Sequence, residues 1–363
     1  MVNGIERCET DRYPAVTALA QNLGQGIAIL DTETTGFPEH EPFGLVELGG
    51  AIIEPSGETY LFNYLINPGF PIPAEASKIH GIRDEHVADA PGMDSLGRVI
   101  ERALDNRLLS GFNTRQFDQR AINTDMARNG YPIPEVQGHL DVRDLWSYFM
   151  QTQQGKLFEV AEAYGVQVKD EHRAIGDVQT TAGILDRMVE HHGLETITEL
   201  AQTIRQDGGQ HLETPASPPD LPGKGQRARI DREIRSRLAS TDPGEPVGSV
   251  QATIKQIGRS ARANDIGVEM RLQDWLRAEW LDPGKVTDPD AQERLSRHLP
   301  EVVEEIGSLD RLKPIKQGVD DRLTQEGAPA MPYLQISAYL KMHPEIRDQL
   351  EAAEEEEASI TPG

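Results

Sequence analysis

Between residues 25 and 205, short β-branched and aliphatic runs alternate with longer stretches whose apolar positions recur every three or four residues. That rhythm predicts an α/β domain. Strands are expected from Ile27 to Thr32, Leu45 to Ile53, Tyr60 to Ile66, Leu108 to Asn113 and around Leu140 to Val142. The first three follow one another through short connections, so they are expected to form an antiparallel meander. Helical periodicity falls near Ser95 to Asp105, Gln119 to Asn129, Leu145 to Thr152, Leu157 to Tyr164 and Ile175 to His191. Beyond residue 249 no strand pattern occurs. Val250, Ile254 and Ile257, then Leu272, Trp275, Leu276 and Trp280, keep helical spacing, which makes both tryptophans core residues first.

The chain therefore divides into an N-terminal extension (1–24), an α/β domain (25–205), a linker (206–248), a helical domain (249–345) and an acidic tail (346–363). The linker is assigned on its Pro, Gly and Ser content. Within it Lys224, Arg227, Arg229, Arg232, Arg235 and Arg237 outnumber Asp231 and Glu233, reading either as a solvated helix or as a phosphate-contacting arm.

Composition narrows the picture. A chain of 363 residues is long for one domain and long enough for a sizeable core. Its net charge of −24 argues against coating nucleic acid through the overall field, so any such contact is local. A lone cysteine, Cys8, closes no internal disulfide and builds no thiolate metal site, leaving oxygen and nitrogen donors for any metal. No signal-peptide pattern or membrane-length apolar run occurs, and a cytoplasmic protein without membrane contact is expected.

The chemistry is carried by acids. Asp31 and Glu33, in AILDTETTG, lie two apart at the end of a predicted strand and so share one face, where a bound cation relieves their repulsion. Thr34, Thr35 and Gly36 follow at the mouth of that site and, with His80 and Asn113, are the expected substrate-binding positions. Asp118, in SGFNTRQFDQRAI, falls in the first turn of a helix, where an acid also serves as an ordinary partner of the helix dipole. His172 and Asp177 have four residues between them; on a continuous helix they diverge by about 140°, so His172 is placed in the loop before the helix and Asp177 on its sheet-facing side. Four carboxylates suit two Mg²⁺ or Mn²⁺ ions, which address both the attacking water and the leaving oxygen of a phosphodiester, and His172 is a base of near-neutral pKa for the water proton. His191 and His192 read as structural.

DTETTG, GFNTRQFD and the H-x-x-x-x-D spacing, with the intervening NPGFPIPAEASKIHGIRDEHVADAP, resemble the DnaQ-like DEDDh exonucleases over residues 25 to 190. The resemblance implies an RNase H-like fold, a mixed five-stranded sheet flanked by helices, here followed by a mainly helical C-terminal domain. It also implies hydrolysis from the 3′ end of single-stranded nucleic acid, with DNA favoured. Asp31 would bridge the two metals, Glu33 and Asp177 complete the first site, Asp118 support the second, and His172 act as general base. Phe112 departs from the histidine or polar residue of many members. A histidine at 172 marks the DEDDh branch, since the DEDDy branch has a tyrosine with three intervening residues.

Three other readings compete. The same five residues serve an exoribonuclease trimming RNA ends, because sugar discrimination lies elsewhere. An inactive exonuclease fold acting as a nucleic-acid-binding or scaffold module would not need all five. Gln154 to Phe158 (QGKLF) fits a sliding-clamp peptide, but Leu157, Val160, Ala161 and Tyr164 are spaced for a core. In the C-terminal half, LDRLKPIKQGVDD and PYLQISAYLKMH faintly resemble the helix-turn-helix region of RecQ-type helicases; the alternative is a docking domain for a protein partner. No phosphate-binding G-x-x-x-x-G-K-[ST] loop accompanies them.

Overall fold

The computed structural model describes residues 4–8, 12–152, 155–169, 172–207, 214–217, 219–222, 225–239, 249–309 and 312–346. The chain forms two compact units, one of residues 1–214 with 221–225, the other of 215–220 with 226–363.

The first unit is built on one mixed sheet of six strands: β1 (Gly4–Cys8), β2 (Ile27–Thr34), β3 (Leu45–Ile53), β4 (Thr59–Leu65), β5 (Leu108–Gly111) and β6 (His139–Asp141). Their order is β1-β4-β3-β2-β5-β6, with β1 to β4 and β4 to β3 to β2 antiparallel, and β2, β5 and β6 parallel. The expected α/β class and meander are present. The expected count of five strands is corrected to six. Gly4–Cys8 lacks a run of alternating apolar residues and becomes a strand by pairing with the edge of β4, so residues 1–24 are not merely an extension. The rest of that stretch forms α1 (Pro14–Leu23), whose Val16, Leu19 and Ala20 are buried.

The other helices of this unit are α2 (Ala74–His80), α3 (Asp84–Val87), α4 (Met93–Leu104), α5 (Asp118–Arg128), α6 (Val142–Met150), α7 (Leu157–Tyr164), α8 (Ala174–His192) and α9 (Leu194–Asp207). Strand alternation sorts β2 between two layers. Ala28 and Leu30 join Leu48, Ile52 and Phe62 in a core with Leu96 and Ile100 of α4 and Ala121, Ile122 and Met126 of α5. The opposite face of β2 and β3, bearing Asp31, Glu33 and Glu47, is where α8 packs. Gly49 permits that packing: a Cβ there would lie 2.6 Å from the backbone carbon of Ala174, the first residue of α8.

The second unit is helical among its described residues: α10 (Gln226–Ile234), continued by a wider turn over Arg235–Ala239, α11 (Val250–Ala261), α12 (Asp265–Arg277), α13 (Pro289–Ile306), α14 (Leu312–Gln325) and α15 (Tyr333–Met342). Here the linker assignment meets a difference. Ile230, Ile234 and Leu238 alternate with the arginines and are buried with Ile254, Ile257, Leu272 and Trp275, so the basic segment is a packed helix. Lys224 and the tail beyond Ile346 lie outside the described residues. No helix among those described is long and apolar enough to cross a membrane.

Candidate active site

Asp31 and Glu33 end β2 on the face that α8 covers, and Asp177 enters from the first turn of α8. Carboxylate oxygens of the three lie within 4.8 Å of one another, close enough to share a metal ion. Asp31 and Glu33 keep part of their residue surface open, yet their carboxylates are surrounded by protein. Burial and then the charges of Asp118, Asp177, Glu33 and Glu47 push Asp31 well above the usual carboxylate range. Burial, followed by Glu47, Asp177 and Asp118, takes Glu33 to about 8, partly offset by Arg173. Such a group of oxygens holds protons or a hard divalent cation in preference to bare charge, and the donor set fits Mg²⁺ or Mn²⁺.

Asp118 is the first residue of α5, as expected, and is almost fully buried at the end of the sheet. It joins the cluster from the α5 side: Oδ1 accepts the backbone N–H of Thr32 (2.8 Å) and the Thr32 hydroxyl (2.7 Å). Burial raises it to about 7 against those two bonds. Beside it Asp141 caps α6 by accepting from Arg143 N and also accepts from Asn113 N, both at 2.9 Å.

His172 lies, as the spacing required, in the loop before α8, exposed, with φ 62°. The next two residues are fixed by a group that the motif reading did not include. Glu47, with no exposed surface, accepts from Arg173 Nε (3.0 Å), Arg173 Nη2 (2.5 Å), Ala174 N (3.1 Å) and Asn63 Nδ2 (2.8 Å). The signal was legible, since Glu47 is the one charged residue in the otherwise apolar run Leu45–Ile53.

The five expected substrate positions part company. Thr34 and Thr35 are buried, with Thr34 Oγ1 donating to Gly36 O (2.7 Å) and Thr35 Oγ1 accepting from Gly44 N (3.0 Å), so both hydroxyls brace the turn after β2. Gly36 is exposed. His80 is buried at the end of α2; Nδ1 accepts from Ile82 N (3.0 Å), and burial lowers its pKa, favouring the neutral ring. Asn113 adopts a left-handed φ of 70° and accepts from Arg143 Nη1 (2.9 Å). Phe37, beyond the motif, is 62% exposed and meets Phe117, the residue before Asp118, edge to face at 6.3 Å. His192 is structural, stacked on Phe149 at 3.5 Å with its Nε2 2.7 Å from the Tyr164 hydroxyl.

The Exonuclease family model, RNase_T, matches residues 28–185, which contain all five motif residues. An exonuclease of Escherichia phage 186, CP81, itself described as uncharacterized, is 31% identical over 173 residues, covering 44% of this chain and 87% of the relative. The chain belongs to this exonuclease family. A PolC-type DNA polymerase III from Caldanaerobacter subterraneus subsp. tengcongensis is 26% identical over 202 residues, 54% of this chain and 14% of the polymerase, so the chain spans only a small part of that relative's length. Among solved structures, E. coli Exonuclease I in complex with a dT13 oligonucleotide aligns over 49% of this chain and 44% of its own, at 15% identity and a TM-score of 0.42. The residues matched by the family model lie within the first unit's sequence and include those of the cluster described above.

Proposed function

We propose that the protein is a 3′→5′ exonuclease acting on single-stranded nucleic acid, DNA favoured, through two divalent metal ions. The observation that carries this reading is the convergence of Asp31, Glu33 and Asp177 within 4.8 Å beside buried Asp118, with His172 exposed on the adjoining loop. When bound, divalent ions supply activation of water and neutralisation of charge on the phosphate and the departing 3′ oxygen. Asp31, Glu33 and Asp177 would hold them. Asp118 commits Oδ1 to Thr32, so Oδ2 is the ligand atom it offers. His172 takes the proton of the attacking water on a ring nitrogen, and its exposure lets it return that proton to solvent. The motif resemblance supports the 3′ direction and the single-stranded preference.

Phe37 extends the reading to the substrate. An exposed aromatic ring beside an acidic phosphate-cleaving site is a stacking platform for an unpaired base, worth about 1–3 kcal/mol. Phe37→Ala is therefore expected to raise KM for single strands by roughly 5- to 150-fold with little change in kcat.

The decisive assay incubates the full chain and Mg²⁺ with 3′-labelled and 5′-labelled single-stranded DNA, duplex DNA and RNA. Immediate release of the 3′ label as mononucleotide, with a shrinking ladder from 5′-labelled strands, is expected. Full activity in excess EDTA, or cutting of circular single strands as the main reaction, would overturn the proposal.

A further inference from the structure

The second unit of this acidic chain carries a cationic face. Lys255 and Arg259 lie four residues apart on α11, the spacing that stacks side chains on one side of a helix, and Arg262 follows as its C-cap in a left-handed conformation (φ 52°). All three are exposed, and among the described residues no carboxylate lies within ion-pairing distance of them. Neighbouring arginines are engaged otherwise: Arg227 with Asp274, Arg235 with Asp220 and Arg237 with Glu233. Two guanidinium groups of the preceding segment are also anchored on the last turn of α11. Arg229 Nε donates to Ala261 O (2.8 Å) and Arg237 Nη2 to Ser260 Oγ (3.1 Å). Between residues 226 and 262 eight Lys and Arg stand against four Asp and Glu, in a chain whose net charge is −24.

Helix electrostatics accounts for part of this face. Cations in the last turn of α11 complement its dipole, which covers Arg259 and Arg262. It does not cover Lys255, in the middle of the helix, and like charges four residues apart oppose helix formation. Beneath the stripe Ile254, Ile257 and Ala261 are buried with Ile230, Ile234 and Leu238, so the charges stand on a packed platform. The stripe extends over about 10 Å of helix axis.

We propose that Lys255, Arg259 and Arg262, flanked by Arg229, form a binding surface for the phosphate backbone of a nucleic-acid strand, a second contact distinct from the nucleotides being cleaved. The proposal rests on the exonuclease reading for its choice of polyanion. Its chemistry is local positive charge offsetting the repulsion that an acidic protein exerts on such a substrate.

The test uses the full chain carrying Asp177→Ala, which preserves the strand, with and without Lys255→Gln, Arg259→Gln and Arg262→Gln together. Binding to a long single strand, DNA in one arm and RNA in the other, is measured across a salt series. Three lost phosphate contacts are expected to make the slope of log K against log salt shallower by about 2 and to weaken low-salt binding about tenfold or more, equally for both polymers. Arg259→Lys with Arg262→Lys keeps the charges and is expected to keep the slope. In the chain with Asp177 intact, the triple substitution is expected to leave cleavage of a trinucleotide unchanged, and failure of the unsubstituted chain to cleave it would count against the exonuclease reading alone. Equal slopes and affinities, a weaker affinity at unchanged slope, or a loss confined to one polymer would each overturn the proposal. The first of these would assign the face to a protein partner.

Discussion

A carboxylate with no exposed surface in the middle of a strand has to be matched on every side, and Glu47 is matched by Arg173, Ala174 N and Asn63. Because Arg173 directly follows His172, this bracket also sets where His172, the proposed general base, stands. His172→Ala is expected to lower kcat by roughly 10² to 10⁴, the usual range for a lost general base. Arg173→Ala should lower it as well, but not further when combined with His172→Ala, because the arginine acts through the histidine; Arg173→Lys, which cannot span both oxygens of Glu47, should fall between. Additive losses in that cycle, measured as kcat, would assign Arg173 a separate role. The acids make a second residue-scale prediction. Glu33 stands at about 8 and Asp118 at about 7, both raised, so the fold favours their protonated forms. Metal-free stability is then greatest below the ordinary carboxylate pKa and falls as pH rises towards about 8. Melting in chelator should occur at lower temperature near pH 8.5 than near pH 5, and Mg²⁺ or Asp31→Ala should narrow that gap. Activity of Asp31→Ala should be abolished while its metal-free melting temperature holds or rises, because a repelling charge has gone. A large drop in that temperature would make Asp31 structural.

At the scale of elements, the site depends on how closely α8 lies on β3. Gly49 leaves no room for a methyl group, its Cβ position being 2.6 Å from Ala174 C and 2.7 Å from Ile175 N. Those are backbone atoms of the turn that delivers Asp177, so neither can swing aside as a side chain could. Gly49→Ala is expected to cost about 1–3 kcal/mol, as overpacking does. Urea unfolding measures that cost, and metal-dependent activity should fall with it because α8 and β2 separate their ligands. Wild-type stability with wild-type activity would show that the helix can slide without disturbing the cluster.

The whole molecule is two units with different cores, so no single unfolding transition is owed. In the second unit Arg271 is 2% exposed and binds Asp231 through Nε (2.6 Å) and Nη2 (3.1 Å), while Trp275 Nε1 donates to the same Asp231 (3.0 Å). Removing one partner of a buried pair strands the other's charge. Arg271→Leu should cost that unit about 3–5 kcal/mol. Calorimetry should then show the transition of the second unit moving down alone, with cleavage of a trinucleotide retained. A concerted shift of all transitions would mean that the two units unfold as one.

Sequence by itself determined the α/β class, the meander, the placement of His172 in a loop and of Asp31, Glu33, Asp118 and Asp177 at element ends. Each of those follows from local periodicity or from a short spacing along the chain, which a chain displays without its partners. Tertiary structure decided the rest. Gly4–Cys8 is a strand because β4 offers it an edge, and the arginines after residue 226 sit on a packed helix because Ile230, Ile234 and Leu238 find a core in α11 and α12. Thr34 and Thr35 turn inward because the loop after β2 needs their hydroxyls, and Glu47 is tolerated in β3 because Arg173 arrives from a residue 126 positions away. Those outcomes depend on which groups meet across the chain, and hydrogen-bond and burial partners distant in sequence leave only a faint mark locally: here, one acid in an apolar strand.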